Sequence, residues 1–339
     1  MISRTIGKYF TIRGANMTES DNQSLFAGRT LGLLLIEDFA LMSYASVIEP
    51  YRAANVLAGE ALYRWRHVSI DGRPVRASNG ASVAADLAVG QPLACDVLFV
   101  FAAGDPASFH DSATFAWLRE IARRGAVVAG VSGGPFLLAR AGLLDGYRAT
   151  IHWDHRPTFA ESFNQITVEP SLYVIDRRRV TCAGGASGLD LAIELIEREQ
   201  GHGLATQVSD WFIRTETRAA DQPQRASLRE RYGVANDRVL KVLARMEASV
   251  EEPASREALA SLAGVSLRQL ERLFARHLGQ GLNDAYRRIR LEQAVQLLRK
   301  TGLSITAVAL ACGFRSSSHF SRAFRAQFDA SPVEVRRQS

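Results

Sequence analysis

A short pattern occurs twice near the C-terminal end of this chain, and it limits the possible folds more than any other feature does. Leu259-Ala260-Ser261-Leu262-Ala263-Gly264-Val265 is answered about 50 residues later by Val308-Ala309-Leu310-Ala311-Cys312-Gly313-Phe314. Each copy closes one helical pattern and opens another. Ala260 or Ala309 is small enough for two helices to approach closely, Gly264 or Gly313 supplies the turn, and Val265 or Phe314 fills the core beneath it. The reading is a helix-turn-helix, twice.

The helices that follow the two turns carry a common chemistry. In the first, Leu267, Leu270, Leu273 and Phe274 form an inward stripe behind Ser266 as N-cap, leaving Arg268, Gln269, Glu271, Arg272 and Arg276 on other faces. In the second, Phe320, Phe324 and Phe328 point inward, while Ser317, Ser318, Ser321, Arg322 and Arg325 face outward. A helix lying in a major groove needs such residues, because Arg engages guanine and Ser reaches base edges or phosphates. One exposed arginine is ordinary solvated surface; two matched helices point to double-stranded DNA. Arg268, Gln269, Glu271, Arg272, Ser317, Ser318, Ser321 and Arg322 are therefore the candidate contacts.

Charge placement agrees. Residues 237–339 hold 17 Lys+Arg against 10 Asp+Glu, out of 41 and 35 in the whole chain, so the basic excess is entirely C-terminal. A chain of 339 residues suits two domains. No apolar run approaches the roughly 20 residues a membrane-spanning helix needs, so no membrane partner is expected. Cys95, Cys182 and Cys312 are far apart and lack the spacing of structural zinc sites, which fits a reducing cytoplasm and no metal. Residues 1–28, with Arg4, Lys8 and Arg13 but no apolar core of a secretory signal, are expected to be a disordered extension.

From residue 29 the pattern alternates. An apolar run at 29–36 has the continuity of a strand buried on both faces, a helical stretch follows at 41–57, and strand candidates lie at 65–70 and 97–101. A helix at 113–124, a strand at 126–131, a strand at 172–175 and a helix from Ser187, read as its N-cap, to Gln200 complete an α/β sandwich over 29–215. Residues 216–236 turn polar and are read as a linker. After it only helical patterns remain, at 238–249, 256–263, 267–277, 282–300, 304–311 and 317–328, so 237–339 is an all-helical domain.

Over about 238–337 the sequence resembles the AraC/XylS family of transcription regulators, through Ala263 to Phe274, then Val308-Ala309, Cys312-Gly313-Phe314, Ser318 to Phe324, Ser331-Pro332 and Arg336. The resemblance implies two helix-turn-helix units joined by the long helix 282–300 and directed at successive major grooves. Asp329 stands where the family usually has Gly, and a local change of turn is expected there.

Within the first domain, Gly130-Val131-Ser132-Gly133-Gly134 between a strand and a helix matches the nucleophile elbow G-x-S-x-G. A serine hydrolase would also need an acid and a base from separate sheet ends. The chain offers only His152, Asp154 and His155 in one short segment, and no His-Gly-Gly-Gly oxyanion segment. The domain is more similar to the class I glutamine-amidotransferase-like superfamily, in particular its PfpI-like members fused to AraC-type domains, with a flavodoxin-like parallel sheet. That similarity rests on the elbow, on Phe136 to Gly146, on Ala149 to Trp153, and on Thr181 to Gly185 with Asp190. In catalytic relatives the elbow holds a cysteine activated by a histidine, positions that fall at Ser132 and His152. A serine has no accessible anion near neutral pH, so the chemistry is expected to be lost, with no catalytic residue and no cofactor.

The resemblance implies that a pocket remains, formed by Ser132 and Gly133 with Gly104 opposite, His152 beside it, and Glu49 set to balance a cationic ligand. Cys182 is read as a buried small residue. Likeness at 181–185, 222–225 and 268–274 to regulators of amino-acid and quaternary-amine catabolism implies an effector such as arginine, carnitine or a betaine. The expectation is an activator of a catabolic operon that contacts RNA polymerase and dimerises through its first domain. Two other readings differ from it experimentally: a hydrolase would turn over acyl substrates, and a purely dimerising domain would ignore small molecules.

Overall fold

The apolar run at the start of the first domain becomes β1 (Arg29–Leu35), an interior strand of a seven-stranded sheet in the computed structural model, which describes residues 29–337. The extension 1–28 lies outside the described residues. The other strands are β2 (Tyr63–Ser69), β3 (Leu87–Ala88), β4 (Val97–Ala102), β5 (Val127–Ser132), β6 (Tyr173–Asp176) and β7 (Arg179–Cys182), in the order β6-β7-β5-β4-β1-β2-β3. Neighbours are parallel except for the β6-β7 hairpin.

Alternation along β4 explains why both faces need cover. Val97, Phe99 and Phe101 join Leu33 in one core, against Val47 and Tyr51 of α1 (Leu41–Ala58), Leu191 and Ile196 of α5 (Ser187–Gln200) and Val208 of α6 (His202–Trp211). Leu98, Val100 and Ala102 join Leu34 in the other, against Leu118 of α2 (Ser112–Arg123), Leu137 of α3 (Gly134–Arg140) and Phe159 of α4 (Arg156–Ser162). Successive side chains point to opposite faces of a strand, so β4, buried throughout, requires helices on both sides. The result is the expected flavodoxin-like sandwich. Ser187 is not the N-cap of α5 but its first helical residue: the cap is Ala186, without a side-chain bond, and Ser187 Oγ donates to the Gly184 carbonyl at 2.7 Å.

Beyond Cys182 the described residues form no strand. α7 (Leu228–Tyr232), α8 (Asp237–Ala248), α9 (Arg256–Ala263) and α10 (Leu267–Leu278) share a core with the first half of α11 (Leu282–Lys300), through Val239, Leu243, Leu259, Leu270, Phe274 and Ile289. The second half of α11 shares Leu291, Leu298, Val308, Phe314, Phe320 and Phe324 with α12 (Ile305–Ala311) and α13 (Ser317–Phe328), and α14 (Pro332–Arg337) adds Val335. Ser255, Ser266, Ser304 and Ser316 cap α9, α10, α12 and α13 through side-chain oxygens. Asp329 takes the left-handed conformation, φ 51°, and its N–H closes α13 on Arg325 O. Asp329 thus adopts the positive φ that a glycine favours, and the local change of turn expected there is not seen.

The stretch read as a linker is not a spacer. Arg214 and Arg218 both bind Asp190, the Leu172 N–H donates to Ala220 O at 2.8 Å, and the Gln224 side chain is anchored on Thr150, Ile151 and Ser171. Residues 227–234 instead belong to the helical unit, where Val234 is buried and Arg231 and Tyr232 both bind Glu247 of α8.

Candidate nucleic-acid interface and ligand pocket

On α10 the apolar stripe turns Leu270 and Phe274 inward and leaves Arg268, Gln269 and Arg272 exposed. Two of the four candidate readers on this helix are engaged within the protein. Gln269 Oε1 accepts from the Ser266 N–H at 3.0 Å, the reciprocal half of a capping box. Glu271 is ion-paired with Arg256 of α9. Arg268 and Arg272, one turn apart, bind no group among the described residues and remain open to an external anion. On α13, Ser317, Ser318 and Arg322 are exposed and Ser321 is half-buried, with Phe320 and Phe324 beneath. Arg290 of α11 serves the fold and not the interface. Its Nε donates to Cys312 O at 2.8 Å, its guanidinium lies 4.1 Å from the Phe314 ring centroid, and burial lowers its pKa.

The elbow forms where β5 meets α3. Ser132 has φ 61° and is 7% exposed, held in a conformation that L-residues rarely adopt. The glycines around it have steric causes. A Cβ on Gly130 would lie 2.7 Å from Pro135 N, one on Gly133 3.0 Å from Ala102 O, and one on Gly134 would land on the Val100 carbonyl. The Gly133 N–H donates to Ala102 O at 2.8 Å, which ties the elbow to the end of β4, and Gly104, φ 65°, lies two residues beyond that strand end with open space where a Cβ would stand.

Ser43 of α1, missed in the sequence, comes against this elbow. A Cβ on Gly184 would be 2.7 Å from both Ser132 Cβ and Ser43 Oγ; Ser43 Oγ accepts from the Gly185 N–H at 2.8 Å, and Ser46 Oγ donates to Gly185 O at 2.6 Å. Glu49 does not share that face. Six positions along a helix rotate a side chain by about 240°, and Glu49 pairs with Arg52 at 2.6 Å with 43% of its side chain exposed. The phase of Ser43, Ser46, Val47 and Pro50, all buried, was the available signal.

The His152 N–H lies 3.5 Å from Ser132 O, and His152 Nδ1 accepts from the Asp154 N–H at 3.4 Å. Burial pushes His155 down to about 4. Cys182 is fully buried, 3.3 Å from Ser187 Oγ, and burial pushes its thiol up to about 11, which keeps it protonated. Among the described residues no cluster of His, Cys, Asp and Glu could hold a metal, and no helix is long and apolar enough to cross a membrane.

Comparison with known proteins follows the same division. A helix-turn-helix domain family matches residues 259–338, and the DJ-1/PfpI family matches residues 36–198. The HTH-type transcriptional regulator GlxA of Rhizobium meliloti is 43% identical over 91% of this chain and 96% of its own length. The HTH-type transcriptional regulator CdhR of Pseudomonas aeruginosa is 44% identical over 89% of this chain and 90% of its own, and GbdR of the same species 38% over 91% and 84%. Among solved structures, a THiJ/PfpI family protein from Pseudomonas syringae covers 74% of this chain and 98% of its own at 22% identity with a TM-score of 0.51, a likeness of fold alone.

Proposed function

Because this chain belongs to the HTH-type transcriptional regulators that join a DJ-1/PfpI domain to an AraC-type helix-turn-helix domain, we propose that its DNA binding is controlled by a small metabolite held at the Ser132 elbow. In this reading residues 29–215 sense, residues 237–339 together with 227–234 bind the operator, and Arg268, Arg272, Ser317, Ser318, Ser321 and Arg322 face the DNA.

The observation that carries it is the elbow. Positive φ at a non-glycine residue costs on the order of 1–3 kcal/mol, and this fold holds it at Ser132 with three tightly fitted glycines, at the position where the family likeness implies a cysteine in catalytic relatives. A serine elbow without an acid and a base from separate sheet ends favours binding over catalysis. The Ser43 and Ser132 hydroxyls, brought together at the elbow, can donate to a carboxylate. The family likeness favours a zwitterion such as arginine, carnitine or a betaine; activation of a catabolic operon, contact with RNA polymerase, a homodimer through the first domain and a cytoplasmic location belong to the same reading.

A thermal-denaturation series with these compounds tests it. One of them should raise the melting temperature of the intact chain and not of Ser132→Trp, whose side chain fills the elbow. Ser132→Ala should leave operator binding intact and alter effector affinity at most. Ester or amide hydrolysis that disappears in Ser132→Ala would establish a hydrolase instead.

A further inference from the structure

Residues 214–225 form a strap across the first domain, fixed at both ends by side chains. At one end the fully buried carboxylate of Asp190 receives Arg214 at 2.5 Å and Arg218 at 2.7 Å, with the Arg218 N–H at 3.0 Å. At the other, Gln224 Nε2 lies 3.0 Å from Thr150 Oγ1, 3.0 Å from Ile151 O and 2.7 Å from Ser171 O. An amide nitrogen has two hydrogens to share among those three acceptors. The Gln224 Oε1 atom is buried without a partner among the described residues, which is costly. Next to it the Arg225 guanidinium lies 4.3 Å from the centre of the Trp153 ring.

Gln224 and Arg225 thus bracket His152: one holds Thr150 and Ile151, the other Trp153, and the residue between reaches the elbow through its N–H on Ser132 O. Two residues further on, Ser227 caps α7. Arg231 and Tyr232 of that helix bind Glu247 of α8 at 2.8 Å, and α8 shares a core with α10. A continuous chain of contacts therefore runs from the elbow to the first recognition helix.

We propose that this strap transmits occupancy of the elbow to the DNA-binding unit. A ligand that moves the 150–153 loop changes which acceptors the over-committed Gln224 amide can serve, and with them the position from which α7 starts. Asp190 keeps the other end still, so the displacement passes towards α7 and is not absorbed. The proposal rests on the reading of the elbow as the ligand site.

The test uses the full chain carrying Ser132→Cys and a covalent occupant in place of the unidentified effector. Iodoacetamide alkylates the new thiol, forming a sulfur–carbon bond with loss of iodide, and mass spectrometry locates the label; the parent chain treated identically controls for Cys95, Cys182 and Cys312. Labelling should change operator affinity by about tenfold, and Gln224→Ala or Arg225→Ala should cut that change below about twofold while unlabelled affinity is kept. Arg225→Ala leaves no buried polar atom unpaired, so it carries the test if Gln224→Ala fails to fold. An undiminished response in the folded strap variants overturns the strap and leaves the elbow reading standing. No response to a located label in the unaltered strap overturns both.

Discussion

At Gly134 an added Cβ would land on the Val100 carbonyl of the neighbouring strand, whereas at Gly104 it would meet open space and only the positive φ would resist it. Gly134→Ala should therefore lower unfolding free energy by about 1–3 kcal/mol or abolish folding. Gly104→Ala should cost about 1–2 kcal/mol, the backbone term alone. Urea unfolding of both variants separates the two causes, and a Gly134→Ala loss below about 1 kcal/mol would show that Gly134 is not wedged. His155 supplies a pH dependence. Burial depresses its pKa to about 4, from about 6.5 in an unfolded chain, so the fold favours the neutral ring. Its contribution is complete above pH about 6.5 and falls away as pH drops towards about 4, where the unfolded state binds the extra proton. The unfolding midpoint of the parent should fall more steeply across that window than the midpoint of His155→Gln; parallel curves would contradict the buried neutral histidine.

Among the elements, α10 and α13 are the two expected to enter the DNA, at major grooves about one helical turn, roughly 34 Å, apart. Replacing Arg272 by Ala should weaken specific binding by about 1–3 kcal/mol if it reads a guanine, and relax preference at one end of the site. Arg322→Ala should do so at the other end. If either arginine only meets phosphate, its loss weakens all sequences alike and lowers the salt dependence by about one charge. Footprints at fixed salt decide this, since damage by both variants to the same few base pairs would refute two grooves. These helices were legible because each carries a 3.6-residue apolar stripe after a glycine turn, and α10 a serine cap as well. α7 was not: its five residues bury no side chain, and an ion pair with α8 holds it, which no periodicity announces. The same limit hid the anchoring of Gln269 and Glu271, whose partners depend on a cap geometry and on a neighbouring helix. The elbow was legible because its glycines answer local crowding; Ser43 and Gly184 reach it from distant sequence.

At the scale of the whole molecule, part of the stretch 216–236 read as a linker is bound to the first domain through Arg218, Ala220 and Gln224. Asp190→Ala removes the carboxylate that, among the described residues, meets both Arg214 and Arg218. Both arginines can still reach water, so the loss should be about 1–3 kcal/mol, below the 3–5 typical of a fully enclosed pair. A first-domain melting temperature unchanged by Asp190→Ala would mean that the strap is held by other contacts. The helical unit needs α7 as well as the helices after it, since Val234 is buried in its core and Tyr232 packs against it. Residues 227–339 are therefore the fragment expected to fold and bind DNA alone. The most direct measurement of the central claim is operator affinity by fluorescence anisotropy for the full chain and for this fragment, with and without the metabolite that stabilises the elbow. The account predicts a change of about 5- to 150-fold for the full chain and none for the fragment; a full chain whose operator affinity is indifferent to a metabolite bound at the elbow would contradict it.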